Sequence, residues 1–402
     1  MEKPFILARI PQVLFRSGVI CELPAIVEGY GKNIVLVTGA GSFMSSGRAE
    51  RLLGQFRARG IKVRHVTVAG EPSPGVVDEA VSRLKGAGIS LVVSIGGGSV
   101  MDAGKAISAM LTTDGSVTDY LEVVGSREHP GTKVPFIAVP TTSGTGSEAT
   151  KNAVISRVGK EGFKRSLRHD NFVPDLAIID TELTLECPPD ITAAAGMDCF
   201  TQLTEAFLSD KGSPITDALA IEGLKAVSRS LLRSFTNGDD KEARSDMSFA
   251  ALMSGICLAN AGLGAVHGLA GTIGALYDIP HGVVCGTLMA PANEVNVREL
   301  RRVSRSGAVT DRYSAAVTSA VLGKYATLGR IFADATGKND NYYIDFFTDC
   351  LNALSYRLGM PKLSRYGLVH DDLAAICSLS DVKNNPVCLS EEQMLEILMS
   401  RI

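Results

Sequence analysis

The chain of 402 residues has no tryptophan, and aromatic residues make up only 6% of it. Aromatic platforms are therefore scarce, and the 41 glycines point to recognition by close backbone approach instead. Eight cysteines are scattered at 21, 187, 199, 257, 285, 350, 377 and 388, without a Cys-x-x-Cys pair. In a chain of this length that speaks against a disulfide frame, and for reduced, mostly buried thiols in a cytoplasmic protein. The formal net charge is −3, with no basic or acidic block. That leaves no footprint for nucleic acid or for a membrane surface. No apolar run reaches the ~18 residues of a membrane helix, and the opening Met-Glu-Lys-Pro-Phe-Ile lacks the long apolar core of a signal peptide.

What remains is the composition of an ordinary globular enzyme, 45% hydrophobic and 21% charged, with enough chain for two domains and a large core. Up to about residue 180, short apolar runs alternate with amphipathic ones. Residues 33–38, 62–68, 90–95 and 136–139 read as buried strands, and 46–59 and 76–84 as helices. Such alternation predicts a mainly parallel, doubly wound sheet. Beyond residue 190 strands vanish and helical spacing dominates, as in Ile221, Leu224, Val227 and Leu231. Residues 1–187 are thus expected to form an α/β dinucleotide-binding domain and 188–402 an all-helical one. The run Leu-Met-Ala-Pro at 288–291 reads as the end of a helix, and the arginines of residues 300–308 as a solvated basic helix.

The predicted strand 90–95 runs into Gly-Gly-Gly-Ser (96–99), followed by a helical stretch. Gly97 and Gly98 let a phosphate approach the backbone, Ser99 can donate a hydroxyl, and the helix start offers free N–H groups. Asp102 reads as a first-turn residue fixing the loop. The next strand runs into Pro-Thr-Thr-Ser-Gly-Thr-Gly-Ser-Glu (140–148), whose Thr141, Thr142, Thr145 and Ser147 are hydroxyls suited to ribose and phosphate oxygens. Two such loops after two strands point to a dinucleotide site. Lys164, taken alone, reads as a solvated surface lysine.

The second half carries the metal chemistry. The chain has only six histidines, and His267 and His281 stand in nearly uncharged, Gly- and Ala-rich surroundings, where a buried imidazole needs a partner. Asp198 and Gln202 are four apart and share a helical face, so Asp198, Gln202, His267 and His281 are the candidates to converge on one metal ion. One carboxylate and two imidazoles are a fitting set for a divalent Lewis acid such as Fe(II) or Zn(II).

These motifs, Gly-Gly-Gly-Ser-x-x-Asp-x-x-Lys (96–105), Pro-Thr-Thr-x-Gly-Thr-Gly-Ser-Glu (140–148), Gly-Met-Asp (196–198), Val-His (266–267) and Pro-His-Gly (280–282), resemble those of the iron-containing (group III) alcohol dehydrogenases. Val-Pro-Asp (173–175), Ile-Ile-Asp (178–180) and Asn-Asn-Pro-Val (384–387) fit as well, so the likeness spans about residues 5–400. It implies hydride transfer between a small alcohol or aldehyde and a nicotinamide, with metal and substrate between two domains, and a homo-oligomer such as a dimer. By position it places the pyrophosphate on Gly97, Gly98 and Ser99. Thr141, Thr142, Thr145, Asn152 and Lys164 should line the ribose and nicotinamide end, and Asp198, His267 and His281 match metal ligands.

Three departures from the family pattern stand out. Gln202 replaces the usual second histidine ligand, and an amide oxygen is a weaker donor to a borderline metal than imidazole. Gly271 stands where a further pocket histidine is frequent, which removes a proton relay; no side chain is a clear catalytic base beyond the metal site. Gly39, with Gly41 and Ser42, ends the first predicted strand where many members carry an aspartate. That removes a charge that would repel a 2′-phosphate and favours NADP over NAD, although no arginine partner is evident beside the loop. Two alternatives to the dehydrogenase are a lyase of the same architecture and a cofactor-binding member with weakened or lost redox activity.

Overall fold

In the computed structural model, which describes residues 4–306 and 315–402, the first half alternates strand and helix. In chain order come β1 (Gln12–Phe15), α1 (Leu23–Tyr30), β2 (Asn33–Gly39), α2 (Gly47–Ala58), β3 (Lys62–Val68), α3 (Pro74–Leu84), β4 (Leu91–Gly96), α4 (Gly98–Met110), β5 (Phe136–Pro140), β6 (Asn152–Arg157), β7 (Phe163–Arg168) and β8 (Leu176–Ile179). Six strands form one parallel sheet in the order β1-β8-β5-β4-β2-β3. Its central strands are buried nearly throughout and mostly apolar, Thr38 and Ser94 excepted, because helices cover both faces. Val35, Val37 and Val92 face one layer, Ile34, Leu36, Leu91 and Val93 the other, as the two-residue period of a strand requires. From β2 the chain goes to β3 on one side and then to β4 on the other. The order reverses between β2 and β4, so a crevice opens beyond their carboxyl ends, at Gly39 and Gly96.

The predicted strands at 33–38, 62–68, 90–95 and 136–139 are β2 to β5. The hairpin β6–β7 is antiparallel and was not read from the sequence, although Ala153 and Ile155 alternate with more exposed neighbours and glycines lie in its turn. It leaves the sheet and carries Asn152 and Lys164 over the crevice.

The second half is helical: α5 (Pro189–Leu208), α6 (Pro214–Thr236), α7 (Lys241–Ala261), α8 (Ala265–Leu276), α9 (His281–Ser306), α10 (Ala315–Phe332), α11 (Asp340–Arg357), α12 (Leu373–Leu379) and α13 (Glu391–Met399). Their starts follow local chemistry. Pro214 and Ser213 open α6 and Ser390 opens α13, each serine accepting from a backbone N–H of the first turn. Helix α5 is buried along most of its length and packs beside α6, α7 and α9 in a single apolar core.

Helix α9 corrects the expected stop at Pro291, since it continues to Ser306 with that proline inside. A proline costs roughly 3 kcal/mol in a helix interior. Burial of Leu288, Met289, Ala292, Val295 and Leu300 offsets that at roughly 1.5–3 kcal/mol for each large side chain, and the Asn293 amide donates to the Met289 carbonyl at 2.8 Å. Arg301 and Arg302 on its far end pair with Asp345 and Glu299; residues 307–308 lie outside the described residues. The eight cysteines are free, four of them buried, two partly buried, and Cys21 and Cys388 exposed. Among the described residues no single helix is long and apolar enough to cross a membrane.

Candidate metal centre and nucleotide cleft

Helix α5 presents Asp198, Gln202 and Glu205 at intervals of four and three, which stacks them along one face. The face points at the start of α8, which carries His267, and at the first turn of α9, which carries His281 and Cys285. His281 therefore opens a helix instead of standing in the preceding turn. The Nε2 atoms of His267 and His281 lie 3.3 and 3.8 Å from Asp198 Oδ1. Cys285 Sγ lies 3.6 Å from each of those two nitrogens. One donor atom from each of the four residues falls within 4.8 Å of all the others.

A partner outside this group fixes its orientation. The Glu205 carboxylate accepts from His267 Nδ1–H at 2.6 Å and from the Val266 N–H at 2.8 Å. With Nδ1 so engaged, Nε2 is the nitrogen turned into the site. The Gln202 NH₂ donates to Asp198 Oδ2 at 3.2 Å; an ionised carboxylate only accepts, so the amide must present its nitrogen there. Asp198 Oδ1, Gln202 Oε1 and His281 Nδ1 are left buried without any hydrogen-bond partner. One such orphan costs about 1–3 kcal/mol, more for a charged group, and native proteins leave few of them. A cation among these donors satisfies Asp198 Oδ1, and carboxylate, imidazole and thiolate are the ligand types of Zn(II) and Fe(II) sites. The residues therefore fit a divalent metal.

The electrostatics agree. Burial alone raises the Asp198 carboxyl, but His281 and His267 beside it hold it down at about 2, so it is ionised. Burial and then the Lys164 ammonium lower His281 to about 4, which keeps its imidazole neutral and able to ligate. Burial also pushes His267 down, but Cys285, Glu205 and Asp198 outweigh it and hold its proton affinity well above the ordinary value. A divalent cation at Nε2 answers the same pull.

The residues expected to hold the cofactor line two adjoining cavities along the crevice. Gly39, Ser42, Gly97, Thr141 and Thr142 line the first, together with Arg48, Ser46 and Glu186. Gly98, Ser99, Thr145, Asn152 and Lys164 line the second, and so do Gln202, His267 and His281. Asp198 lies beneath, 1% exposed. Helix α4 begins at Gly98, so its free N–H groups face the crevice. A Cβ on Gly98 would sit 2.7 Å from Thr145 Cγ2, and only glycine lets the two loops close to this distance.

Lys105, which the sequence did not single out, holds the second loop in place. Its buried ammonium donates to Ser147 O, Ser147 Oγ, Thr150 Oγ1 and Asn152 O at 2.7–3.1 Å. Asp102 accepts from Ser147 Oγ at 2.6 Å and from Val154 N at 3.2 Å, and so fixes the loop as expected. Lys164 differs from its reading as a surface lysine. It is 8% exposed and ion-paired to Glu71, whose other oxygen accepts from Ser156 Oγ at 2.6 Å. Arg48 supplies the arginine that the sequence did not show near Gly39. It comes from the first turn of α2 and bonds Glu186 at 2.6 Å. At Gly271 nothing lies within 4 Å of where a Cβ would stand, so the space of the usual histidine is open.

Cys285 and Glu205 were also missed. Their signal was spacing: Cys285 is four after His281, Glu205 seven after Asp198, and each shares its helical face with a ligand candidate.

Comparison with known proteins gives this arrangement relatives. The family described as iron-containing alcohol dehydrogenase matches residues 11–181, and its C-terminal counterpart, the Fe-containing alcohol dehydrogenase family, C-terminal, matches 192–402. The long-chain-alcohol dehydrogenase 1 of Geobacillus thermodenitrificans is 36% identical over 266 residues, 66% of this chain and 67% of that protein. The NADPH-dependent butanol dehydrogenase of Clostridium saccharobutylicum is 29% identical over 378 residues, 91% of each chain. The crystal structure of an archaeal halo-thermophilic alcohol dehydrogenase from a Red Sea brine pool superposes with a TM-score of 0.86 at 25% identity, covering 100% of this chain and 99% of that one. These names lend no support to the lyase alternative.

Proposed function

Because the chain belongs to the iron-containing alcohol dehydrogenase family, and is thus a nicotinamide-dependent alcohol dehydrogenase or aldehyde reductase, we propose that Asp198, His267 and His281 hold its divalent metal at the floor of the cleft and that NADP is its preferred carrier. The observation that carries this reading is that one cavity is lined both by the glycine-helix junction at Gly98 and by His267 and His281. Held by Asp198, His267 and His281, a metal would supply Lewis-acid polarisation of the alcohol or carbonyl oxygen, and a nicotinamide in the cleft would supply the hydride chemistry.

The chain's own residues do the positioning. The start of α4 receives the pyrophosphate, with Ser99 as a hydroxyl donor. Thr141, Thr142 and Thr145 face the ribose and phosphate oxygens. Lys105 and Asp102 keep that loop rigid, which holds the nicotinamide end against Asn152 and Lys164. Glu205 fixes the His267 tautomer, and the Gln202 amide holds the Asp198 carboxylate. The open space at Gly271 receives the substrate carbon chain and leaves the alcohol proton to water. Support for NADP comes from the uncharged Gly39 and from Arg48, Ser42 and Ser46 in the same cavity, where an arginine suits a 2′-phosphate.

The test is a metal cycle. Treatment with a chelator should abolish aldehyde-dependent NADPH oxidation, and Fe(II) or Zn(II) should restore it. Activity unchanged through the cycle removes the metal from the mechanism.

A second copy of the chain is the proposed partner. Phe5, Ile6, Leu7 and Ile10 are exposed, Ile6 at 92%, and they lead into β1, an edge strand of the sheet. An apolar stretch beside an open edge is a natural pairing surface. Sedimentation velocity should give a dimer, and replacing Ile6 and Leu7 with serine should shift it to monomer. A monomer in the parent protein refutes this.

A further inference from the structure

The four-donor cluster contains one residue that the reading above does not use. We propose that Cys285 is the fourth ligand of the metal, as a thiolate, in the corner that Gln202 leaves unfilled, and that this donor set selects Zn(II) over Fe(II). The inference rests on the metal reading of Asp198, His267 and His281 and extends it.

The distances carry it. Around a tetrahedral Zn(II), bonds of about 2.0–2.1 Å to N and O and about 2.3 Å to S put N and O donors about 3.4 Å apart, and S and N donors about 3.6 Å apart. The observed edges are 3.3 and 3.8 Å from Asp198 Oδ1 to the two histidines, and 3.6 Å from Cys285 Sγ to each of them. The two remaining edges fall within the 4.8 Å that bounds all four donors, so the set has the size of one coordination shell. Cys285 is 0% exposed, and its Sγ stands equally far, at 3.6 Å, from both Nε2 atoms. A second observation points into the same space: Asp198 Oδ1, itself buried, has no hydrogen-bond partner.

Gln202 is the competing candidate, since its Oε1 is also buried without a partner, but the chemistry of that oxygen speaks against it. Its NH₂ is committed to Asp198 Oδ2, and a neutral amide oxygen is the poorest donor of the group for a borderline cation. Gln202 is then a positioning residue: it turns the carboxylate so that Oδ1 faces the histidines. The two sequence peculiarities form one exchange. A histidine is missing at 202 on α5, and a sulfur is present at 285 on α9. Because soft thiolate ligands favour zinc, the exchange also changes which metal the site prefers.

Co(II) reports on this without any assay of the reaction. Full-length protein stripped of metal and loaded with Co(II) should show d–d bands together with an intense thiolate-to-Co(II) charge-transfer band in the near ultraviolet. Cys285→Ser should lose the charge-transfer band and bind Zn(II) at least about tenfold more weakly in a chelator competition, on the order of the loss of one strong ligand. Gln202→Ala should keep the band. Parent protein with d–d bands but no charge-transfer band overturns the proposal and leaves the dehydrogenase reading intact, as does a band that survives Cys285→Ser. Failure to take up Co(II) also overturns it. Aldehyde-dependent NADPH oxidation by that same metal-free protein then decides whether the metal part of the dehydrogenase reading falls with it.

Discussion

At the residue scale the crevice beyond β2 is decided by what Gly39 lacks. An aspartate there would place a carboxylate in the cavity proposed for the 2′-phosphate, and two like charges about 4 Å apart cost roughly 1–4 kcal/mol depending on exposure. Gly39→Asp should therefore swing the NADPH/NADH preference in kcat/KM toward NADH by tenfold or more. Arg48→Ala should raise the KM for NADPH while leaving that for NADH within about twofold, since removing a phosphate contact costs about 1.5–3 kcal/mol. An unchanged ratio in both variants refutes the cofactor preference. Gly39 was legible because it ends a strand. Arg48 was not, because it is nine residues further on and lines the same cavity as Gly39 only once α2 has folded against the sheet. The same holds for His267 and Cys285: 18 positions apart in the chain, they meet at 3.6 Å only because α8 and α9 converge on α5.

At the scale of the element, the loop between β5 and β6 carries its own pH signature. Glu148, 3% exposed, sits in a short helical turn within it, and burial raises its carboxyl from 4.5 to about 7. A raised carboxyl means that the fold prefers the protonated form. That contribution is complete below pH 4.5 and is lost as pH rises through about 7. Glu148→Gln mimics the protonated state. Its stability relative to the parent should therefore grow across this window by roughly 3 kcal/mol and stay level above it; urea denaturation at several pH values measures it, and a flat difference is the contrary result. Elements with one strong period were readable at this scale: β2, β3, β4 and β5 stand within one or two residues of their predicted limits. The strands β1 and β8 are four residues each, too short for a pattern. Helix α9 ran past its proline because tertiary burial, invisible in local propensity, outweighed it.

Across the whole molecule, the candidate ligands belong to α5, α8 and α9, whereas the nucleotide cavity belongs mainly to the sheet. A ligand stabilises the part that forms its site, by about 2.7 kcal/mol at a hundredfold excess over its Kd. Zn(II) removal should then lower the thermal midpoint of the helical half, on the order of 5–10 °C for a unit of about 200 residues. Addition of NADP should raise that of the sheet half. Differential scanning calorimetry separates the two, and a single transition that responds equally to both ligands contradicts this division. The α/β and all-helical character of the two halves was legible, since strands alternate with helices up to Ile179, where β8 ends, and only helices follow from Pro189, where α5 begins.

The loop that meets the nucleotide also touches the helical half with bare backbone. Gly146, at φ 61°, and Gly255 of α7 pack so closely that a Cβ on Gly255 would stand 2.1 Å from the Gly146 carbonyl oxygen. Neither side of this joint has a side chain that can shorten, rotate or be exchanged for a larger one without prising the halves apart. At this joint the loop meets the helical half backbone against backbone, with the Ser254 hydroxyl donating to the Gly144 carbonyl at 3.3 Å beside it. New substrates must be accommodated where side chains still have room, and the hollow over Gly271 is such a place.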